Sequence, residues 1–143
     1  MLIDYAEAKR DVFDDKSLFL LRNKSKVGMG FFEAGNFYPD FILWIDTPKS
    51  QYVTFIVPKG LLNIPKEDPK IQFHKTIKDL ENRLAVTAGE KPIVLNSFIM
   101  SSTKSSDLKE RWCIDHIERE KKNVYTLDDS KSVEKMFEKI LNT

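Results

Sequence analysis

Two runs of β-branched and aromatic residues, separated by a five-residue turn, constrain this chain more than any other feature. Residues 37–45 (Phe-Tyr-Pro-Asp-Phe-Ile-Leu-Trp-Ile) and 51–57 (Gln-Tyr-Val-Thr-Phe-Ile-Val) have strand length and strand composition, and 46–50 (Asp-Thr-Pro-Lys-Ser) have turn composition. A parallel connection needs a crossover of about a dozen residues, so so short a link predicts an antiparallel hairpin. Pro39 enters the first strand, and Pro58-Lys59-Gly60 breaks the second. In a hairpin the start of one strand lies beside the end of its partner. Asp40 and Lys59 are therefore expected together at one end of the sheet.

The remaining elements follow from periodicity. Residues 4–15 read as a helix, with Asp4 as cap, Glu7 completing a capping-box spacing, and Tyr5, Ala8 and Val12 on the inner face. Leu18 to Leu21 is a short apolar run of strand length, followed by a basic turn, Arg22-Asn23-Lys24-Ser25-Lys26. Residues 67–88 carry Phe73, Ile77, Leu80 and Leu84 at helical spacing, with Pro69 in the first turn and Gly89 at the C-cap. A strand over 92–100, a charged helix over 106–121 bearing Trp112, Ile114 and Ile117, and a short strand over 124–127 come next. A last helix over 130–141 turns Val133, Phe137, Ile140 and Leu141 inward. This order predicts an α/β fold: a mixed β-sheet flanked by helices, antiparallel early and joined later by a parallel, right-handed crossover.

Length and composition bound the function. A chain of 143 residues without a linker or repeat fits one domain, 1–143. Lysine and arginine total 23 against 22 acids, a formal charge of +1, which excludes a globally basic nucleic-acid glove but not a local patch. The single cysteine, Cys113, excludes an intrachain disulfide and a cysteine zinc cage, and reads as a small buried hydrophobe. No apolar run reaches the roughly 18–20 residues that span a bilayer. The N-terminus lacks the basic and apolar regions of a secretory signal, so a cytoplasmic, reducing setting without membrane association is expected.

The chemistry concentrates at the hairpin end. A carboxylate such as Asp40 suits Mg²⁺, a hard cation with oxygen ligands. A lysine beside it serves an attacking water or the charge that develops on a phosphate. As ordinary structure, Asp40 caps a turn and Lys59 is a solvated strand end. The pieces Phe19-Leu20-Leu21-Arg22-Asn23, Gly30-Phe31-Phe32-Glu33, Phe37-Tyr38-Pro39-Asp40-Phe41-Ile42-Leu43-Trp44 and Thr54-Phe55-Ile56-Val57-Pro58-Lys59-Gly60-Leu61 cover about a third of the chain. Together they resemble the PD-(D/E)xK nuclease superfamily, in particular the C-terminal endonuclease domain of type III-like restriction enzyme subunits.

The resemblance implies a restriction-endonuclease-like core and Mg²⁺- or Mn²⁺-dependent hydrolysis of DNA phosphodiester bonds. Asp40 matches the first metal-binding aspartate and Lys59 the catalytic lysine. The second acid belongs at position 57, on the same strand face as the lysine, and here it is Val57. Three readings of Val57 stand open: an inactivating substitution, an acid migrated to Glu33 or to Glu7 (or Asp11) on the first helix, or a natural pseudonuclease. The resemblance also implies DNA as ligand, a helicase or translocase region or a methyltransferase/specificity subunit as partner, and pairing of two copies to cut a duplex. The chain then corresponds to part of a larger restriction protein. A non-catalytic DNA- or partner-binding domain on the same fold is the alternative.

Arg22, Lys24, Lys26 and Lys104, with Lys109 and Arg111, are the candidate DNA-contacting cations. Ser101 to Thr103 end a buried strand near the same edge and are read either as phosphate contacts or as ordinary loop polarity. Asp4, Glu7, Asp11 and Asp14 form an acidic stripe that reads as a solvated face. His74 and His116 are isolated, which argues against a histidine zinc site. The chain contains no P-loop motif.

Overall fold

The computed structural model describes residues 16–23, 39–83 and 91–142. Its first three strands form an antiparallel meander: β1 (Ser17–Arg22), β2 (Phe41–Asp46) and β3 (Gln51–Lys59). Thr47 closes the β2–β3 link, its hydroxyl accepting from the Ser50 amide at 3.0 Å and donating to the Ser50 carbonyl at 2.9 Å. Helix α1 (Pro69–Arg83) leads to β4 (Ile93–Ser101), parallel to β3 with Val57 opposite Ile99. Helices α2 (Ser105–Trp112) and α3 (His116–Lys121) precede β5 (Val124–Thr126), parallel to β4, and α4 (Ser132–Leu141) closes the described chain. The strands lie in the order β1-β2-β3-β4-β5, and β2 alone runs against the others.

Period-two alternation gives each central strand two buried faces. Phe55, Val57 and Ile99 pack on one side with Ile71, Phe73 and Ile77 of α1 and with Leu108 and Trp112 of α2. Ile56, Phe98 and Met100 pack on the other with Met136, Phe137 and Ile140 of α4. The mixed sheet flanked by helices is as expected from the sequence. No helix among the described residues is long and apolar enough to cross a membrane.

Three sequence expectations need correction or fall elsewhere. The helix expected over 106–121 is two helices. Cys113 adopts a left-handed conformation (φ 55°) and ends α2, and the Asp115 carboxylate starts α3 by accepting from the Glu118 amide at 2.8 Å. The apolar spacing of Trp112, Ile114 and Ile117 runs across this break and conceals it, and Ile117 is exposed. Cys113 is exposed, not buried, because the left-handed cap turns it out of the core. The helix expected over 4–15, with its acidic stripe, and the Leu84 to Gly89 stretch lie outside the described residues.

The outer edge of β4 is sealed by side chains. β5 pairs with Ile99 to Ser101, so among the described residues the edge around Leu95 has no strand partner. Glu81 of α1 accepts from the Leu95 amide at 2.8 Å, and Lys78 donates to the Leu95 carbonyl at 2.7 Å while pairing with Glu81 at 2.9 Å. Glu81→Ala is expected to lower the unfolding free energy by about 1–2 kcal/mol in urea titration, because it strands a half-buried amide. Glu81→Gln, which keeps a carbonyl acceptor, should recover most of that loss. Equal stability of all three proteins would show that the seal carries no energy.

Candidate active site

The register of the hairpin builds the site. Phe41 lies opposite Ile56 at the last pair of the ladder, and Asp40 and Val57 are the next residue outward on each chain. Ile42 and Phe55, the partners two residues further in, pack in the cluster under α1, so positions 40, 57 and 59 belong to that same face. β1, β3 and β4 end here and β2 begins here. Arg22, the last residue of β1, is opposite Phe41; Lys59 is opposite Ser101; Lys104 follows at the start of α2. The topology therefore gathers Arg22, Asp40, Val57, Lys59 and Lys104 at one end of the sheet. Glu33, Glu7, Lys24 and Lys26 lie outside the described residues.

Asn23 fixes the Pro-Asp turn. Its side-chain amide donates to the Pro39 carbonyl at 3.0 Å, and its backbone amide donates to the Asp40 carbonyl at 2.8 Å. Pro39 is buried and Asp40 is exposed, so the turn is anchored while its carboxylate stays accessible. Asn23→Ala is expected to cost about 1 kcal/mol of stability, the usual worth of one such hydrogen bond. Unchanged denaturant midpoints would remove this anchoring role.

Lys59 is half-buried, and its carbonyl accepts from the Ser102 amide at 3.1 Å. Its pKa is held below the usual lysine value, first by burial and then by the neighbouring Lys70 ammonium. The carboxylates of Asp68 and Asp40 pull it partly back up. Val57, by contrast, is 5% exposed and packs among Phe55, Leu61, Ile71 and Ile99. It is a core residue standing where the resembled pattern has an acid.

Sequence reasoning missed Asn23, Asp68 and Lys70. Asn23 acts on a turn sixteen residues away, and nothing local announces that pairing. Asp68 and Lys70 read as helix-start chemistry, which they also are: the Asp68 carboxylate accepts from the Lys70 amide at 2.9 Å.

Several polar groups in the region serve the fold. Thr103 accepts from the buried Leu61 amide at 2.8 Å, and the Ser101 hydroxyl accepts from the Thr103 amide and donates to its carbonyl, each at 3.0 Å. Of the Ser101–Thr103 stretch only Ser102 is exposed. His74 Nδ1 is tied to the Ile71 carbonyl at 2.8 Å, and burial holds its pKa below the ordinary histidine value.

No group of three or more histidine, cysteine or acidic residues among the described residues is arranged to hold a metal ion. Asp40 offers one carboxylate, and Val57 offers no donor atom. The described donor set therefore does not fit Mg²⁺, which is bound through carboxylates and waters. No protein-family model, curated protein or solved structure matches the chain.

Proposed function

We propose that this chain is a restriction-type DNA endonuclease domain of the PD-(D/E)xK kind whose metal centre is incomplete at position 57. The observation that carries the reading is the hairpin register: it ends at Phe41 opposite Ile56, with Asp40 and Val57 next outward on the two chains and Lys59 two residues beyond Val57 on the same face. That arrangement agrees with the order of the sequence motif. The five-strand mixed sheet with helices on both faces is consistent with a restriction-endonuclease-like core. On this reading the ligand is DNA and the setting is cytoplasmic, and a carboxylate restored at position 57 would be needed before Mg²⁺ or Mn²⁺ could be held. A translocase region or a methyltransferase/specificity subunit, and a second nuclease copy, complete the assembly.

On this reading the described residues divide the work between them. Asp40 presents an exposed carboxylate from an anchored turn. Lys59 directs an ammonium donor toward the same end, where it meets a phosphate oxygen and counters the charge developing there. Valine at 57 neither ligates nor accepts a proton, so the hydrolytic part of the site lacks a member.

A second reading has its own observation. The close packing of Val57 makes it a settled core residue and favours a DNA-binding domain that has given up hydrolysis. Plasmid nicking in Mg²⁺ or Mn²⁺ by the chain and by Val57→Asp separates the two. Nicking by Val57→Asp supports the endonuclease reading, and salt-sensitive binding with no cleavage by either protein supports the second.

A further inference from the structure

The end of the sheet away from Asp40 and Lys59 is built around the β2–β3 turn, and that turn is pinned from several sides. The Thr47 amide donates to the Ser50 carbonyl at 2.9 Å, and the Thr47 hydroxyl is engaged by the same residue. Lys91 donates to the Thr47 carbonyl at 3.1 Å and pairs with the Asp46 carboxylate. The Gln51 amide donates to the Pro92 carbonyl at 3.0 Å. Tyr52, the second residue of β3, and Leu141, the last of α4, both pack against the cluster of Met136, Phe137 and Ile140.

Between the turn and the end of α4 lies a cavity of about 390 Å³, lined by Lys16, Thr47, Pro48, Lys49, Tyr52 and Leu141. Small-molecule sites typically measure roughly 300–1,000 Å³. The lining contains two lysines and no acid, and the neighbouring Asp46 carboxylate is already held by Lys91. Pro48, Leu141 and the ring of Tyr52 supply apolar wall. An ammonium group only donates, and a phenol hydroxyl has a proton to give. A ligand here must therefore bring acceptors and negative charge on a flat apolar body. Lysine meets a phosphate as a point charge, whereas the planar, two-pronged match to a carboxylate belongs to arginine, so the lining favours phosphate.

We propose that this cavity binds a phosphate monoester carried on an aromatic or heteroaromatic ring. Lys49 and the Tyr52 hydroxyl donate to the phosphate, and the ring lies against Pro48 and Leu141. The cavity is at the opposite end of the sheet from Asp40 and Lys59, so it stands or falls independently of the endonuclease reading. Such a phosphate occurs on a free small molecule and at the phosphorylated end of a nucleic-acid strand.

The test is a titration of phenyl phosphate into the full chain, isotope-labelled and followed by amide NMR shifts. A Kd of about 1 mM or below is expected, with the largest shifts at Lys49, Tyr52 and Leu141. Lys49→Ala, a change at an exposed turn position, should weaken binding about fivefold, and Lys49→Arg should retain most of it. Tyr52→Phe should weaken it about threefold. Inorganic phosphate, which lacks the ring, and benzyl alcohol, which lacks the charge, should each bind less tightly than phenyl phosphate. Lys75→Ala removes an exposed lysine from α1, on the other face of the sheet, and should leave binding unchanged.

Equal effects of Lys49→Ala and Lys75→Ala overturn the site. So do shifts that gather around Lys59 instead, or saturation only above about 10 mM. A short oligonucleotide with a terminal phosphate separates the two sources. Tighter binding than phenyl phosphate, lost when that phosphate is removed, assigns the site to a strand end, and weaker binding assigns it to a free small molecule.

Discussion

Val57→Asp is expected to nick supercoiled plasmid in Mg²⁺ or Mn²⁺, and Val57→Asp/Lys59→Ala to lose that activity by about three orders of magnitude or more. The physical argument is one of position. A carboxylate at 57 stands one residue beyond the last hairpin pair, as Asp40 does on the other strand, and shares a face with Lys59. The substitution also has a cost. Position 57 is 5% exposed and lined by Leu61, Ile71 and Ile99, so an unpartnered carboxylate there costs on the order of 3 kcal/mol.

Burial raises the pKa of the introduced carboxyl above that of the unfolded chain. The cost is therefore present above the folded-state pKa and disappears as pH falls below the unfolded value near 4. A divalent ion that binds the folded variant offsets the cost, so its Tm should rise with Mg²⁺ while that of the unaltered chain stays fixed. If the unaltered chain cuts, another acid serves the reaction and Glu33 is the next residue to substitute. If neither protein cuts but Mg²⁺ stabilises Val57→Asp, the site is a metal centre that lacks its motor or partner. If Mg²⁺ has no effect and nothing cuts, the DNA-binding reading is the better one.

Trp112→Ala is expected to give the largest loss of stability, about 3–5 kcal/mol from packing alone. The indole is 5% exposed within the core cluster under α1 and α2, and its N–H holds the Ile64 carbonyl. Trp112→Phe keeps much of the buried area but leaves that carbonyl unpaired, and should cost about 1–2 kcal/mol. Chemical denaturation measures both losses. A Trp112→Ala loss below about 1 kcal/mol would show that the loop is held by its own backbone.

The hairpin, and the placement of Asp40 and Lys59 at one end of it, were legible because their signals are local. Phe41 to Ile45 and Gln51 to Val57 carry strand chemistry in unbroken runs, and the short link between them dictates direction. Asp40 and Lys59 follow from that geometry alone. The break at Cys113 was not legible, because a non-glycine residue in the left-handed region carries no compositional mark and the apolar spacing runs on past it. Asn23 escaped for a different reason. Its role depends on a contact across the fold, with Pro39, and no window of neighbouring residues contains both partners. The valine at 57 was visible as a departure in the sequence, but its close packing in the core required the helix that covers it.

The side-chain seal on Leu95 bears on how copies of this domain can join. Growth by strand addition into a fibre requires each unit to offer two unpaired borders, one to receive and one to donate. Glu81 and Lys78 withdraw the border of β4, and the three-residue β5 beyond it gives little purchase. Backbone pairing between copies is thereby disfavoured along the β4 border of the described residues.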